Sequence, residues 1–504
     1  MLHTYLEKIL RAQVYDVAIE TPLDHARGLS RRLDNHILLK REDLQPVFSF
    51  KLRGAYNKVA SLTESVRQLG IIAASAGNHA QGVALAAQRL GCEALIVMPD
   101  TTPAIKVDAV RQRGARIMLH GDTYDEACAH ALMLASESGM TFVHPYDDPE
   151  VIAGQGTIAM EILRQYRGTL HAIFVPVGGG GLIAGIAAYT KAVHPGVRVI
   201  GVEPEDADCM RQALAANERV ILKQVGLFAD GVAVRQAGAE TFRIAQRYVD
   251  EVITVNTDEI CAAIKDIFDD TRSITEPAGA LALAGLKRYV ERTGIRQQGL
   301  VAIDSGANIN FDRLRHVAER AEIGEQREVL MAVSIPEIPG SFLRFCHLLG
   351  RRSITEFNYR YHDASTAHVF VGISLQSRQE SAELMQSLQL EGYAVEDMTG
   401  NTLALEHIRY MVGGHVPALA DEHIFSVAFP ERPGALLGFL AVIGQQWNIS
   451  LFHYRNHGAA FGRVLLGIQV PQAEHASFIA RLDATGFEWQ EETSNPAYRL
   501  FCGS

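Results

Sequence analysis

The stretch Ala172-Ile-Phe-Val-Pro-Val-Gly178-Gly-Gly-Gly181-Leu-Ile-Ala-Gly-Ile-Ala-Ala-Tyr-Thr190 carries no charge over 19 residues. A run of that length is at first sight a membrane span. Pro176 and four consecutive glycines divide it, however, and the pattern changes from strand-like before them to helix-like after them. It reads as a buried strand, a tight turn and a helix. Consecutive glycines let several backbone N–H groups turn toward one anion, and the helix N-terminus adds partial positive charge. Ordering each glycine costs about 0.5–1 kcal/mol relative to alanine, which disfavours a merely flexible turn. Gly179-x-Gly181-x-x-Ala184, with Glu203 about 20 residues on, also fits a dinucleotide fingerprint. The loop by itself does not separate a dinucleotide from a single phosphate.

The same alternation extends on both sides. Short apolar runs at 70–74, 94–98, 115–119, 141–143, 172–177, 197–202, 252–255 and 300–303 alternate with helix-length amphipathic segments. That order predicts a parallel sheet covered by helices on both faces, with ligands at the C-terminal ends of the strands. The expected catalytic body is residues 1–311, with a smaller subdomain inserted at about 45–145.

Composition narrows the class. The 504 residues are 48% hydrophobic and carry a net charge of −11, so no net basic field is available to hold nucleic acid or an anionic membrane. The six cysteines (Cys92, Cys128, Cys209, Cys261, Cys346, Cys502) form no C-x-x-C pair and fit a reducing compartment. The N-terminal MLHTYLEKILRAQVYD lacks a basic region followed by an apolar run, so no signal peptide is expected and the chain reads as cytoplasmic.

Three further segments could carry chemistry. In Ser49-Phe50-Lys51-Leu52-Arg53-Gly54, Lys51 lies between apolar residues where a helical pattern begins. A lysine partly desolvated beside Arg53 would lose proton affinity, as an imine-forming amine requires. Most lysines are solvated, so the setting is what singles this one out. Ala74-Ser75-Ala76-Gly77-Asn78-His79 stands at another strand-to-helix junction and could cradle a carboxylate, or simply cap the helix through Ser75 or Asn78. Asp304-Ser305-Gly306-Ala307-Asn308 ends the last strand, where Ser305 could donate to a ring nitrogen.

Beyond Asp312–Glu328, where nine of 17 residues are charged, lies an internal repeat. Val333-Ser-Ile-Pro-Glu-Ile-Pro-Gly340 matches Val427-Ala-Phe-Pro-Glu-Arg-Pro-Gly434, and Ile354–Arg360 matches Ile449–Arg455. The charged segment 312–327 reads as a solvated helical neck, and 328–413 and 421–504 as two small α+β units. Each unit reads strand, Pro-Gly turn, helix, strand, strand, and pairing the two sheets would bury their apolar faces.

Together these motifs resemble the pyridoxal-phosphate β-eliminating enzymes of the tryptophan-synthase-β fold, most closely the biosynthetic threonine ammonia-lyases with their two C-terminal ACT-like repeats. The resemblance covers essentially the whole chain and decides the loop in favour of one phosphate. It implies that Lys51 forms an imine with pyridoxal 5'-phosphate, and that Asn78 bonds the ring hydroxyl. It also implies that Gly178, Gly179, Gly180, Gly181 and Leu182 hold the phosphate, and that Ser305 faces the pyridine nitrogen. Ser75, Gly77 and His79 would receive the substrate carboxylate, largely through their backbone. Lys51 would then remove the α-proton, the β-hydroxyl would leave, and hydrolysis would give 2-oxobutanoate and ammonia. The expected substrate is L-threonine, with L-serine as the competing choice of serine-preferring dehydratases and racemases of this fold. The resemblance further implies a homotetramer and a tail binding isoleucine as inhibitor and valine as its antagonist, with Tyr359 and Tyr454 as effector contacts. Those tyrosines could equally pack the sheet.

Two departures from the family pattern stand out. Asp304 precedes Ser305 where the family usually has an apolar residue; strand alternation should point it away from the ring. Cys209 stands where related serine-active enzymes place a second metal-binding acid near Glu203, so no divalent metal is expected there.

Overall fold

Successive residues along a strand point to opposite faces, and this decides which core each one feeds and so how the layers stack. The computed structural model describes residues 2–311, 313–324, 328–336, 341–350, 352, 354–361, 366–375, 378–408, 421–430, 439, 442–443, 446–455 and 461–501. The chain divides into two units, Met1–Ala321 and Glu322–Ser504.

The first unit opens with β1 (Leu23–His25) and β2 (His36–Arg41). It continues through β3 (Ile71–Ala74), β4 (Ala94–Met98), β5 (Arg116–Leu119) and β6 (Thr141–Phe142), and closes with β7 (Leu170–Pro176), β8 (Arg198–Pro204), β9 (Glu251–Val255) and β10 (Gly299–Asp304). Two sheets result. One has the order β1-β2-β10-β7-β8-β9, parallel except for the antiparallel β1, and the other is an all-parallel β5-β4-β3-β6. In β7, Ala172 and Phe174 join the core under the helices Thr257–Thr271 and Pro277–Thr293. Ile173 and Val175 join the opposite core with Ile158, Ile162, Ile183 and Ile186. The smaller sheet repeats the device, with Ile71 and Ala73 on one side and Ile72 and Ala74 on the other. Period-2 side-chain placement therefore makes both sheets two-faced, as parallel sheets require.

The alternation was legible from residue 70 onward, but β2 precedes that point. Its His36-Ile-Leu-Leu-Lys-Arg41 looks like a strand that surfaces at Lys40. Instead, Lys40 is fully buried, its Nζ 2.6 Å from Glu161, and β2 is an inner strand paired with β10. Buried charges are tolerated when paired and hydrogen-bonded.

In the second unit, β11 (Glu328–Pro336), β12 (Ile354–Tyr361), β13 (Thr366–Ser374) and β14 (Ala394–Asp397) form an antiparallel sheet in the order β12-β13-β11-β14. The second copy repeats that order with β15 (Glu422–Pro430), β16 (Asn448–Arg455), β17 (Phe461–Gln469) and β18 (Glu488–Glu491). The five-element reading was too short. Each copy adds a helix, Arg378–Leu390 or His475–Ala484, and an edge strand; in the first copy, with the helix Ser341–Leu349, this gives the β-α-β-β-α-β pattern. Both edge strands are four residues long and largely exposed, which left no apolar alternation to read. Leu330, Ala332 and Phe370 of one sheet share a core with Ile424 and Leu465 of the other, and Tyr498 and Phe501 close it. Among the described residues no helix is long and apolar enough to cross a membrane.

Candidate active site

Three strands of the first unit end at the residues singled out above. The C-terminal end of β7 leads into Gly178–Leu182, that of β3 into Ser75–Gly77, and that of β10 into Ser305.

The glycine loop is shaped by its neighbours. A Cβ on Gly179 would lie 2.3 Å from the ring of Tyr146, and one on Gly181 would lie 2.9 Å from the Tyr146 backbone. Gly178 is equally tight against Val232, and Gly180 sits at φ +95°, where L side chains are strained. The Gly179 carbonyl is turned away to accept the Thr241 hydroxyl at 2.6 Å and the Gly238 N–H at 3.2 Å. The N–H groups of Gly178 through Leu182 find no acceptor among the described residues. They open the helix Gly181–Val193, so a cluster of unpaired donors meets the positive end of a helix.

Lys51 is the first residue of the helix Lys51–Ala60. Its Nζ donates to the Pro145 carbonyl at 3.2 Å, and the next residue, Tyr146, is the one packed against the glycines. Burial pushes the Lys51 ammonium down to about 8, opposed by the Glu276 carboxylate. The expectation that Arg53 would lower it is corrected. The Arg53 guanidinium is buried elsewhere, bonded to Glu42 at 2.8 Å and to Glu161 at 2.5 and 3.0 Å. Desolvation alone supplies the effect.

Asn78 begins the helix Asn78–Leu90. Its amide donates to Glu276 Oε1 at 2.6 Å, and its oxygen accepts from Asn308 at 2.6 Å. The N–H groups of Asn78, His79 and Ala80 find no acceptor among the described residues, whereas the Gly77 N–H is taken by the Ser75 hydroxyl at 3.2 Å. The His79 ring bonds the Val143 carbonyl at 2.8 Å through Nε2, and burial pushes it down to about 3. It is therefore a neutral ring turned into the protein.

Ser305 ties the two sides together. Its carbonyl accepts the Phe50 N–H at 3.2 Å, beside Lys51, while its hydroxyl donates to the Ala278 carbonyl at 3.3 Å. Gly306 forms a bridge with Ser49, whose buried hydroxyl has no hydrogen-bond partner among the described residues. Lys51, Asn78, the glycine loop and Ser305 are thus linked through Pro145–Tyr146, Phe50 and Glu276.

Asp304 lies apart, as alternation requires. Its Oδ1 accepts from Thr275 at 2.6 Å, its Oδ2 is 3.7 Å from Arg41, and burial and Asp43 push its carboxyl up. Glu203 caps the helix Cys209–Ala216, accepting the Met210 and Arg211 N–H groups at 2.9 and 2.8 Å. Its oxygens are committed to backbone, which disfavours the ribose-binding reading. The Cys209 thiol faces the Gly178 carbonyl at 3.7 Å.

Glu276, Asn308 and Tyr146 were not assigned from sequence. Glu276 precedes Pro277 at a helix start and looks like an ordinary first-turn acid. It is buried, and burial together with Asp230 pushes it up to about 7. Tyr359 and Tyr454 stand on β12 and β16 opposite Val369 and Val464, but their side chains lie outside the described residues, as do 337–340 and 431–434.

Comparison with known proteins places this geometry. Residues 14–306 match the pyridoxal-phosphate dependent enzyme family, and residues 319–408 and 415–502 each match the C-terminal regulatory domain of threonine dehydratase. The chain is 60% identical over 502 residues to the biosynthetic L-threonine dehydratase IlvA of Burkholderia multivorans, covering 99% of both chains. It is 54% identical over 498 residues to that of Escherichia coli, covering 99% of this chain and 96% of the other. The processed form of threonine deaminase isoform 2 from Solanum lycopersicum superposes with a TM-score of 0.63 at 52% identity, over 64% of this chain and 88% of that one. One family model covers the body and another matches the tail twice, and the curated relatives span the whole chain: the chain belongs to the pyridoxal-phosphate-dependent enzymes, in the branch of the biosynthetic threonine dehydratases.

Proposed function

We propose that this chain converts L-threonine to 2-oxobutanoate and ammonia with pyridoxal phosphate, as the committed step toward isoleucine, under feedback control by its C-terminal unit. The observation that carries the reading is the convergence of a low-affinity lysine amine with five unpaired backbone N–H groups. The residues fit the cofactor. The unpaired Gly178–Leu182 amides offer donors for a phosphate, and the Lys51 amine is tied to the loop through Pro145 and Tyr146. Bound there, pyridoxal phosphate supplies an electron sink for the charge left when the substrate α-proton departs.

The chain's own residues do the rest. Lys51 Nζ is about half neutral near pH 8, so it can attack a carbonyl carbon and later hold the α-proton. The Pro145 carbonyl orients that nitrogen. Asn78 has one amide proton committed to Glu276 and one left for the cofactor's ring hydroxyl. The Ser305 hydroxyl, which donates to the Ala278 carbonyl at 3.3 Å, would turn to the pyridine nitrogen as a neutral donor and would not enforce the proton there that a carboxylate would. The N-terminal amides of Asn78–Leu90, with Ser75 and Gly77 before them, receive the substrate carboxylate. His79 contributes its backbone N–H, while its ring is held through Nε2 by the Val143 carbonyl.

The paired regulatory repeats support effector control, with isoleucine as inhibitor and valine as its antagonist at sites that include Tyr359 and Tyr454. A cytoplasmic homotetramer completes the proposal. The test is threonine-dependent keto-acid release by the full chain, with and without isoleucine and with serine as competitor. Turnover that favours threonine in kcat/KM and falls with isoleucine is expected. Serine preference or indifference to isoleucine would overturn the respective half.

A further inference from the structure

The second regulatory copy gathers three metal-binding side chains that the catalytic reading does not use. His423 stands on β15, Glu491 on the edge strand β18, and His475 begins the helix His475–Ala484 packed on that sheet. His423 Nδ1 is 3.2 Å and His475 Nε2 3.8 Å from the same Glu491 oxygen, and the two imidazole rings are 4.5 Å apart. One ligand atom from each residue lies within 4.8 Å of the others. His475 Nε2 is buried and has no hydrogen-bond partner among the described residues. The Thr493 hydroxyl, at 3.1 Å from the shared Glu491 oxygen, fixes the carboxylate from the far side, as an outer partner does in metal sites.

We propose that His423, His475 and Glu491 form a zinc-class metal site that pins the helix and the edge strand of the second regulatory copy to β15. Two imidazoles and a carboxylate suit a borderline divalent ion such as Zn²⁺, with a water in the fourth tetrahedral position. Bonds of about 2.0–2.2 Å put tetrahedral donor atoms roughly 3.3–3.5 Å apart. The two distances to Glu491 bracket that spacing, and a rotation of His475 closes the remainder.

The repeat supplies an internal control. Met331 pairs with Asp397 as Phe425 pairs with Glu491, so the two sheets align at an offset of 94. The first copy then carries Val329, Ser381 and Asp397 at the three positions and lacks both imidazoles. The site belongs to the second copy alone. The same alignment names substitutions that the fold already accommodates.

The test uses the full-length holoenzyme, stripped with a chelator and dialysed against Zn²⁺, with bound metal counted by atomic emission. One zinc per chain is expected, with nitrogen and oxygen neighbours in zinc-edge X-ray absorption. In His423→Val, His475→Ser and Glu491→Gln, affinity should fall at least about tenfold, at the low end for a disturbed metal site. Without metal, threonine turnover, its inhibition by isoleucine and the far-ultraviolet circular dichroism should be unchanged in all three, which shows that both units are folded in each. Equal zinc binding by the wild type and the three variants would overturn the proposal. So would no zinc bound by the wild type at about 100 μM free metal, roughly 10⁵-fold more than a nanomolar site needs.

Discussion

Lys51 is held between burial, which pushes its ammonium down to about 8, and the Glu276 carboxylate, which pushes it back up. Removing that carboxylate takes away a charge that favours the ammonium. The pH midpoint for cofactor uptake by the apoenzyme should therefore move down in Glu276→Gln. The shift should be largest above about pH 7, where Glu276 itself is ionised. Stopped-flow uptake across pH 6–10 (roughly the span around these two groups) reads it, and an unchanged or raised midpoint contradicts the assignment. Arg53 is the other decisive residue, and it acts by position. Arg53→Met would leave buried Glu42 without its guanidinium and buried Glu161 with only Lys40 and the Tyr15 hydroxyl among the described residues. A cost of about 3–5 kcal/mol is expected for breaking such a network, read from the denaturant midpoint of the catalytic unit; a cost below about 1 kcal/mol would be an exposed pair's value. Lys51 and the glycines were legible because their residue types are unusual in their settings. Arg53 and Glu276 were not, because a charge in a sequence looks solvated until the fold buries it.

At the scale of elements, the glycine loop works by what it excludes. Gly179→Ala would drive a methyl into the Tyr146 ring and shift the amides that follow, so cofactor affinity should drop at least about tenfold, or 1.4 kcal/mol. Gly196→Ala, where an added methyl meets nothing within 4 Å, should leave affinity unchanged. Equilibrium dialysis of pyridoxal phosphate against both variants reads the contrast, and equal affinities would mean that the loop does not hold the phosphate. The strands from β3 to β10 were legible because each alternates between two cores. β2 was hidden by its buried Lys40, and the edge strands β14 and β18 by their exposure. The sequence pattern shows burial that is local and misses burial that partners elsewhere in the chain make possible.

For the whole molecule, each of the two units has its own cores, and the regulatory copies share one between their sheets. A chain ending at Ala321 is therefore expected to keep threonine turnover and lose its response to isoleucine. In the full chain, isoleucine should raise the half-saturating threonine concentration about 5-fold or more, the lower end of ordinary allosteric coupling. Retained isoleucine sensitivity in the shortened chain would place the effector site in the catalytic unit. The duplication was legible at this scale because two Pro-Gly segments and two Phe-x-Tyr-Arg segments recur at nearly one offset. The identity of the effectors was not: it came from resemblance, because a small sheet face carries no distinct signature for one aliphatic amino acid over another. The most direct test of the account is keto-acid release from threonine by wild type and Lys51→Ala, both supplied with pyridoxal phosphate. A loss of at least about 10²–10⁴-fold, the range for removing a positioned proton-transfer group, is expected together with loss of the lysine-linked visible absorbance. Turnover within about tenfold of wild type would show that another residue performs the chemistry assigned to Lys51.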